Sequence, residues 1–208
     1  CTPVFADVEP GTLTLSAERA AAAVTSRTSA IVATHVYGNP CDVDALEELA
    51  RRRGIRLVYD AAHAFGTSYR GRPLSAYGDL GTLSFHATKL FHTVEGGAVV
   101  TDDDEIARRV AYLRNFGHDG YERFQGIGIN GKNSELHAAM GLCLLPRVSA
   151  IIAERRTLSL RYDAALLGRR DVARLEIRAG TTYNYAYYPV LLPHDAAVRA
   201  AQRHLESN

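Results

Sequence analysis

Residues 30–60 read AIVATHVYGNPCDVDALEELARRRGIRLVYD, and this stretch predicts the fold. It begins with a continuous apolar run, 30–36, which is typical of a strand buried on both faces. Asp42 is predicted to cap a helix whose apolar residues share one face and which ends at Gly54. A second short apolar run, 55–59, follows at once. A strand, a helix and a strand at this spacing indicate a right-handed crossover between parallel strands.

The same alternation extends on both sides of this unit. Residues 3–8 are predicted to form a strand, and Ser16 is predicted to cap the helix that follows it. Further along, 82–85 and 97–101 are two short strand patterns separated by a turn, so we expect them to be neighbours. The sequence therefore predicts an α/β fold with a mainly parallel sheet of the seven-stranded type, incomplete in this chain and flanked by helices.

The last third of the chain has a different pattern. Ser134 is predicted to cap a long helix that Pro146 kinks or splits. Residues 183–192 alternate and predict a strand in a second, smaller unit. We therefore expect a large domain over 1–145, followed by a connecting helix and the start of a small α+β domain over 146–208. Five residues of the long helix are expected to face inward: Leu136, Ala139, Met140, Cys143 and Leu144.

The composition is that of an ordinary globular protein. Of 208 residues, 47% are hydrophobic and 23% charged, and the net charge is +1. A nucleic-acid surface requires a clustered basic excess, so we expect no nucleic-acid partner. We also expect no membrane-spanning segment. The three cysteines are an odd number without metal-site spacing, which indicates free thiols in a reducing cytoplasm.

Two residues predict the chemistry. Lys89 lies between two strand patterns and before the turn 95–97, and a lysine held between buried strands is costly to charge. A neutral amine can attack a carbonyl and form a Schiff base. Asp60 ends the strand pattern 55–59, and parallel sheets bind ligands at the carboxyl ends of their strands. A Schiff-base lysine together with an aspartate for a pyridinium nitrogen is the pair that a pyridoxal phosphate enzyme requires.

Three further residues are candidates for the same site. His63 could lie against a cofactor ring or orient Asp60, while Ser84 and Asn130 offer neutral donors to a phosphate. Each also has an ordinary interpretation, because Ser84 fits a buried strand and Asn130 fits a left-handed turn between glycines. Asp60 and His63 form only a weak metal motif, so no metal site is predicted.

Several motifs, taken in order, resemble the DegT family of sugar aminotransferases. Members of this family are pyridoxal phosphate enzymes of the aspartate aminotransferase fold, fold type I, which aminate keto-sugars carried on a nucleotide. The resemblance extends from the first residues to about Leu192. The motifs are DAAHAFG at 60–66, GD at 78–79, SFHATK at 84–89, EGG at 95–97 and GINGKNSELHAAMG at 128–141.

The resemblance implies a role for each candidate. Lys89 matches the Schiff-base lysine, and Asp60 matches the partner of the pyridine nitrogen. His63 matches a residue beside the ring that is His or Gln in the family, and Ser84 matches a phosphate-binding serine. Asn130 matches an asparagine that reaches the phosphate of the neighbouring subunit's cofactor, which implies a homodimer with shared active sites.

The implied function is transfer of an amino group, with L-glutamate as the expected donor, to a nucleotide-linked keto-sugar. The product would serve deoxyamino-sugar biosynthesis for a cell-envelope polysaccharide or a glycosylated antibiotic. A dehydratase of the same fold and a non-catalytic or truncated relative are the alternatives; lysine at position 89 favours the aminotransferase over the dehydratase branch, which has histidine there. Gly131 and Lys132 depart from the aromatic residue and arginine that are usual in the family. The family's phosphate turn and ring-stacking aromatic would precede Pro3, so we expect this chain to be an internal piece of a longer protein whose domain over 1–145 binds the cofactor.

Overall fold

The computed structural model describes residues 1–207 and shows an α/β architecture. The helices are α1 (Ala17–Ala23), α2 (Val43–Arg53), α3 (Asp104–Leu113), α4 (Glu135–Leu144), α5 (Val148–Ala165) and α6 (Asp195–Glu206). The strands are β1 (Ala30–Thr34), β2 (Arg56–Asp60), β3 (Ser68–Tyr69), β4 (Arg72–Pro73), β5 (Leu80–Ser84), β6 (Gly97–Val100), β7 (Ala173–Arg174), β8 (Thr181–Thr182) and β9 (Val190–Leu191). Short 3₁₀ turns lie at Val36–Gly38, Leu74–Ala76 and Leu145–Arg147.

The main sheet confirms the predicted parallel arrangement. Within the described residues its strand order is β1-β2-β5-β6, in which β1, β2 and β5 are parallel and β6 is antiparallel to β5. Thr34 pairs with Asp60, and Asp60 pairs with Thr82. The carboxyl ends of β1 and β2 therefore coincide, and β5 continues for two residues beyond them.

Helix α2 covers one face of this sheet, and it begins and ends at the residues that the sequence predicts. The Asp42 side chain accepts a hydrogen bond from the Ala45 amide at 3.1 Å, which satisfies one free donor at the helix start. Gly54 ends the helix in the left-handed conformation at φ 62°. Between these ends, α2 turns its apolar side to the sheet and joins one core cluster with α1, β1 and β2. The fully buried members of that cluster include Val43, Leu46, Leu57, Tyr59 and Leu74.

Two sequence predictions about this part of the fold are wrong. The first concerns the opposite face of the sheet, which is open. Residues 30–36 were expected to be buried on both faces, but Val32 is 67% exposed between the buried Ile31 and Ala33. In β6, Val99 is exposed as well. Residues 3–8 do not form a strand: Val8 makes a single bridge to Leu15, and no other part of residues 1–207 lies alongside the segment as a strand. Apolar runs identify strand-forming sequence but not which faces are covered.

The inward face predicted for α4 is wrong except at Leu144, which packs against the cluster of Leu90, Phe91 and Val148. Leu136 is 84% exposed, Met140 and Cys143 are exposed, and Gly141 is the buried residue of this helix. Gly141 approaches the loop after β5 so closely that a Cβ would lie 2.8 Å from the Thr93 methyl group. Leu136, Met140 and Leu142 of α4 remain exposed within residues 1–207.

One continuous helical stretch, Glu135–Ala165, tests the expectation that the chain has no membrane-spanning segment. Its most apolar 18 residues have a mean hydropathy of 1.6, so it is long and apolar enough by length and composition. The expectation was therefore wrong on length. This is weak evidence for a span, because apolar helices that pack against protein pass the same test.

The predicted strand over 183–192 forms only at its end. Val190–Leu191 pairs with β7, whereas 183–189 has no regular structure. Its tyrosines alternate because they pack against the turns that follow β1 and β2, and not because they form a ladder.

His35, directly after β1, provides a pH test of this packing. Its ring is fully buried, stacks on Tyr59 with centroids 4.4 Å apart, and accepts the Cys41 amide hydrogen bond at Nδ1. Burial lowers the pKa of His35 to about 3. Below about pH 6.5 the unfolded chain binds a proton at His35 that the folded chain binds only near pH 3. The free energy of unfolding therefore falls as the pH decreases.

We expect His35 to contribute a loss of about 2 kcal/mol in the free energy of unfolding between about pH 7 and pH 5. Urea unfolding at both pH values would measure this loss in the wild type and in His35→Gln, whose carbonyl can still accept the Cys41 amide. The variant should lose about 2 kcal/mol less than the wild type over this interval. Equal losses in the two proteins would contradict the prediction.

Candidate active site at the carboxyl ends of the strands

The turns that follow β1, β2 and β5 meet at one edge of the sheet. Backbone hydrogen bonds continue past the strand ends, from His35 N to Asp60 O at 2.9 Å and from Ala61 N to Thr82 O at 2.8 Å. They hold the first residues of each turn in the register of the sheet. Ligands bind at this edge in open parallel sheets, because side chains from several strands converge there.

Asp60 is the last residue of β2 and is half-buried at this edge. Its Oδ1 accepts a hydrogen bond from the Ala62 amide at 3.0 Å, which fixes the rotamer of the carboxylate. The strand and the turn that follows it therefore orient this side chain together.

Lys89 lies in the loop between β5 and β6 and is half-buried. It does not lie between fully buried strands, because β5 and β6 are each only partly covered. The loop is instead anchored by an aromatic cluster next to the lysine, in which Phe91 stacks on Phe65 at 4.4 Å and meets Phe85 edge-on at 5.0 Å. Because Phe65 lies in the turn that follows β2, the cluster joins that turn to the loop that carries Lys89.

His63 lies in the turn after β2, against residues of two other segments. Its ring is 6.0 Å from Tyr37 and 4.6 Å from Tyr187, and its Nδ1 accepts the Tyr37 amide hydrogen bond at 3.0 Å. Burial lowers the pKa of His63, the positive charge of Lys89 lowers it further, and the carboxylate of Asp60 acts in the opposite direction. The charges of Asp60 and Lys89 therefore both act on this one ring.

The two predicted phosphate donors lie in different settings. Ser84 ends β5, is half-buried, and its Oγ accepts the His86 amide hydrogen bond at 3.4 Å. Asn130 is exposed in the glycine-rich loop, where its Oδ1 accepts from Lys132 Nζ at 2.7 Å and its backbone bridges to Asn115. Within residues 1–207, these contacts do not join Asn130 to the other four candidates.

A segment near the end of the chain contacts the turns after β1 and β2, and the sequence analysis missed it. Asn184 is fully buried, and its Nδ2 donates to the carbonyls of His63 at 2.8 Å and Phe65 at 2.9 Å. Tyr183 donates its hydroxyl to the Tyr37 carbonyl at 2.7 Å. The available signal was a single asparagine among alternating tyrosines, which we interpreted as a strand.

A separate cavity of about 440 Å³ lies away from these residues, and Glu9, Glu18, Glu176 and Arg178 help to line it. Arg178 forms an ion pair with Asp42 at 3.3 Å and donates to the Pro40 carbonyl, so it joins the C-terminal segment to the start of α2. We assign this region a structural role.

Relatives of known activity match most of this chain. It is 37% identical over 193 residues to the dTDP-4-amino-4,6-dideoxy-D-glucose transaminase of Shigella dysenteriae, and the match covers 93% of the chain and 53% of that protein. It is 39% identical over 173 residues to the GDP-perosamine synthase of Caulobacter vibrioides, covering 81% of the chain and 47% of that protein. The chain thus spans about half the length of these relatives.

Solved structures agree with the fold. DesI, crystallised in the presence of its TDP-sugar product, superimposes with a TM-score of 0.86 at 42% identity, covering 96% of this chain and 50% of DesI. DesV of S. venezuelae, in complex with a ketimine intermediate, gives a TM-score of 0.89 at 32% identity, covering 99% of this chain and 55% of DesV. The family model for DegT/DnrJ/EryC1/StrS aminotransferases matches residues 1–208. The chain belongs to the DegT/DnrJ/EryC1/StrS aminotransferase family.

Proposed function

We propose that the full-length protein containing this chain is a pyridoxal phosphate-dependent aminotransferase. It transfers an amino group from an amino acid, L-glutamate, to a nucleotide-linked keto-sugar in deoxyamino-sugar biosynthesis in the cytoplasm. The observation that carries the proposal is the position of Asp60 at the carboxyl end of β2, with Lys89 in the loop that follows the neighbouring strand β5. The names of the relatives, which act on dTDP- and GDP-linked sugars, support the substrate class.

The side chains at this edge have the chemistry that pyridoxal phosphate requires. An amine, a carboxylate and a hydroxyl are supplied by Lys89, Asp60 and Ser84 from the ends of neighbouring strands and the loop after them. When bound, the cofactor supplies an aldehyde for the amine and a pyridine ring that withdraws electrons. Asp60 would hold the pyridine nitrogen protonated, and Ser84 would donate to the phosphate.

Lys89 would have two successive roles. Its amine would hold the cofactor through the aldehyde, and as a free amine it would take up and return the substrate proton. The aromatic anchor of its loop supports this second role, because proton transfer requires the base to stay within hydrogen-bonding reach.

We further propose that the protein is a homodimer with shared active sites. Asn130 is exposed and separate from the other candidates in this chain, as expected of a residue that serves the neighbouring subunit's cofactor phosphate. In this proposal, residues 1–145 form the cofactor-binding domain, and 146–208 form the connecting helix and the start of the small domain.

Lysine labelling tests cofactor attachment. Lys89 and Lys132 are the two lysines of the chain, so an adduct within it is easy to locate. Borohydride reduction of the full-length protein with pyridoxal phosphate should attach the pyridoxyl group to the peptide that contains Lys89, as measured by mass spectrometry. Lys89→Arg should remain unlabelled at this peptide and Lys132→Arg should label normally. Attachment at Lys132 instead, or no attachment, would overturn the proposal.

Substitution of Asp60 tests the pyridine partner. Asp60→Asn removes a charged hydrogen bond and should lower kcat by about 10- to 100-fold. Glu95→Gln is the matched control, because Glu95 is an exposed carboxylate of the same loop as Lys89, and its loss should change kcat by less than about threefold. Steady-state amination of a keto-sugar nucleotide gives both values. Similar losses in the two variants would argue against a specific role for Asp60.

Mixing of two variants tests the shared sites. Lys89→Ala removes the amine and should be inactive, whereas Asn130→Ala removes one hydrogen bond and should lower activity about tenfold. The two changes damage different halves of a shared site, so a mixed dimer contains one site with neither defect. After the two variants are unfolded and refolded together, the mixed dimer should show about tenfold more activity per Lys89 side chain than the Asn130→Ala dimer. Each variant refolded by itself is the control, and absence of recovery in a demonstrated mixed dimer would exclude Asn130 acting across the interface.

A further inference from the structure

The hydrogen bond that His63 accepts defines where its proton lies. Tyr37 presents a backbone N–H to His63 Nδ1 at 3.0 Å, and a backbone amide can only donate. Nδ1 must therefore carry a lone pair, and in a neutral imidazole the proton then resides on Nε2. We infer that the Tyr37 amide locks His63 as the neutral Nε2–H tautomer, so that His63 faces the cofactor as a fixed hydrogen-bond donor and does not transfer protons. The part that concerns the cofactor rests on the proposed function; the tautomer does not.

The conformation of the turn after β1 directs the Tyr37 amide toward His63. Tyr37 and Gly38 have φ values of 57° and 82°, which turn the Tyr37 N–H toward the neighbouring strand end. A Cβ at Gly38 would lie 2.8 Å from the His63 carbonyl oxygen, so the two turns pack in direct contact. The carbonyl of Tyr37, in the next peptide unit, accepts from Tyr183, so both backbone polar groups of Tyr37 are hydrogen-bonded.

Neighbouring residues also fix the backbone and the ring of His63. Its carbonyl accepts from the buried Asn184 at 2.8 Å, which fixes its backbone. Its ring lies between Tyr37, nearly parallel at 16°, and Tyr187, tilted by 49°. Rotation of the ring to exchange its nitrogens would break the bond to Tyr37 while the two tyrosines confine it.

The charged groups around the ring oppose its protonation on balance. Lys89 faces it from the loop after β5, Asp60 from the end of β2, and the phenols of Tyr37 and Tyr187 from the other elements. Burial and Lys89 lower the pKa of His63 more than Asp60 raises it. A second proton could be added only at Nδ1, where it would also replace the hydrogen bond to Tyr37. His63 therefore does not transfer protons, and Lys89 is the group near it that we expect to do so.

The inference specifies what position 63 requires. The side chain must accept a hydrogen bond on the side of Tyr37 and donate one on the far side. A glutamine carboxamide has both functions at a similar reach, whereas leucine has neither.

Nitrogen NMR tests the tautomer directly. In the full-length protein without cofactor, labelled with ¹⁵N-histidine, the His63 signals are those absent from the His63→Gln spectrum. We expect the neutral Nε2–H pattern from about pH 8 to about pH 6.5, where an ordinary histidine is half protonated. With uniform ¹⁵N labelling, a coupling across the hydrogen bond should join Nδ1 to the Tyr37 amide nitrogen. A protonated Nδ1, or a doubly protonated ring near pH 6.5, would overturn the inference.

Cofactor titration tests the donor role. Followed by absorbance, pyridoxal phosphate should bind His63→Gln within about threefold of the wild-type Kd and His63→Leu about tenfold more weakly, because one hydrogen bond is lost. Equal Kd values for the two variants would overturn the donor role. The lysine labelling described above separates the two proposals: failure to label Lys89 defeats the proposed function and leaves the tautomer standing. Normal labelling with an imidazolium at His63 defeats this inference alone.

Discussion

The register of three parallel strands determines where the candidate residues lie. Thr34, Asp60 and Thr82 are side-by-side partners, so the turns that follow β1 and β2 begin at the same level and the end of β5 lies beside them. Hydrogen bonds from His35 and Ala61 carry this register beyond the strands. A slip of one residue would turn the Asp60 side chain to the opposite face of the sheet. The site therefore depends on the backbone pairing, which α2 secures by burying one face of the strands.

The sequence predicted the elements whose signals are local and failed where coverage is decided at a distance. The Asp42 cap, the Gly54 stop and the apolar runs of β1 and β2 specify that strand–helix–strand unit without reference to the rest of the protein. Periodicity does not reveal which partner covers an apolar surface, and so burial was predicted wrongly for Val32 and Leu136. Both residues lie on surfaces that no described element covers, in a chain about half as long as its relatives.

The same distinction separates the site residues that were predicted from those that were missed. Asp60 and His63 lie within one turn, and the sequence around Lys89 is distinctive by itself, so a motif of a few residues identifies each. Asn184 meets His63 across 121 residues of sequence, and nothing local distinguishes it from a polar residue in a strand. Only the folded chain shows that the segment after β8 is part of the site. The roles predicted for all five candidates remain predictions: Asp60, His63, Ser84, Lys89 and Asn130.

The electrostatics of the site explain why a neutral His63 matters. An imidazolium would place a second positive charge beside Lys89 and would compete with a pyridinium nitrogen for the Asp60 carboxylate. Either effect would weaken the pair of residues on which the proposed chemistry depends. The Tyr37 amide prevents both, because it occupies the ring nitrogen at which the additional proton would bind. A backbone group in the turn after β1 thus controls the charge of a side chain after β2, and the close contact at Gly38 makes that control possible.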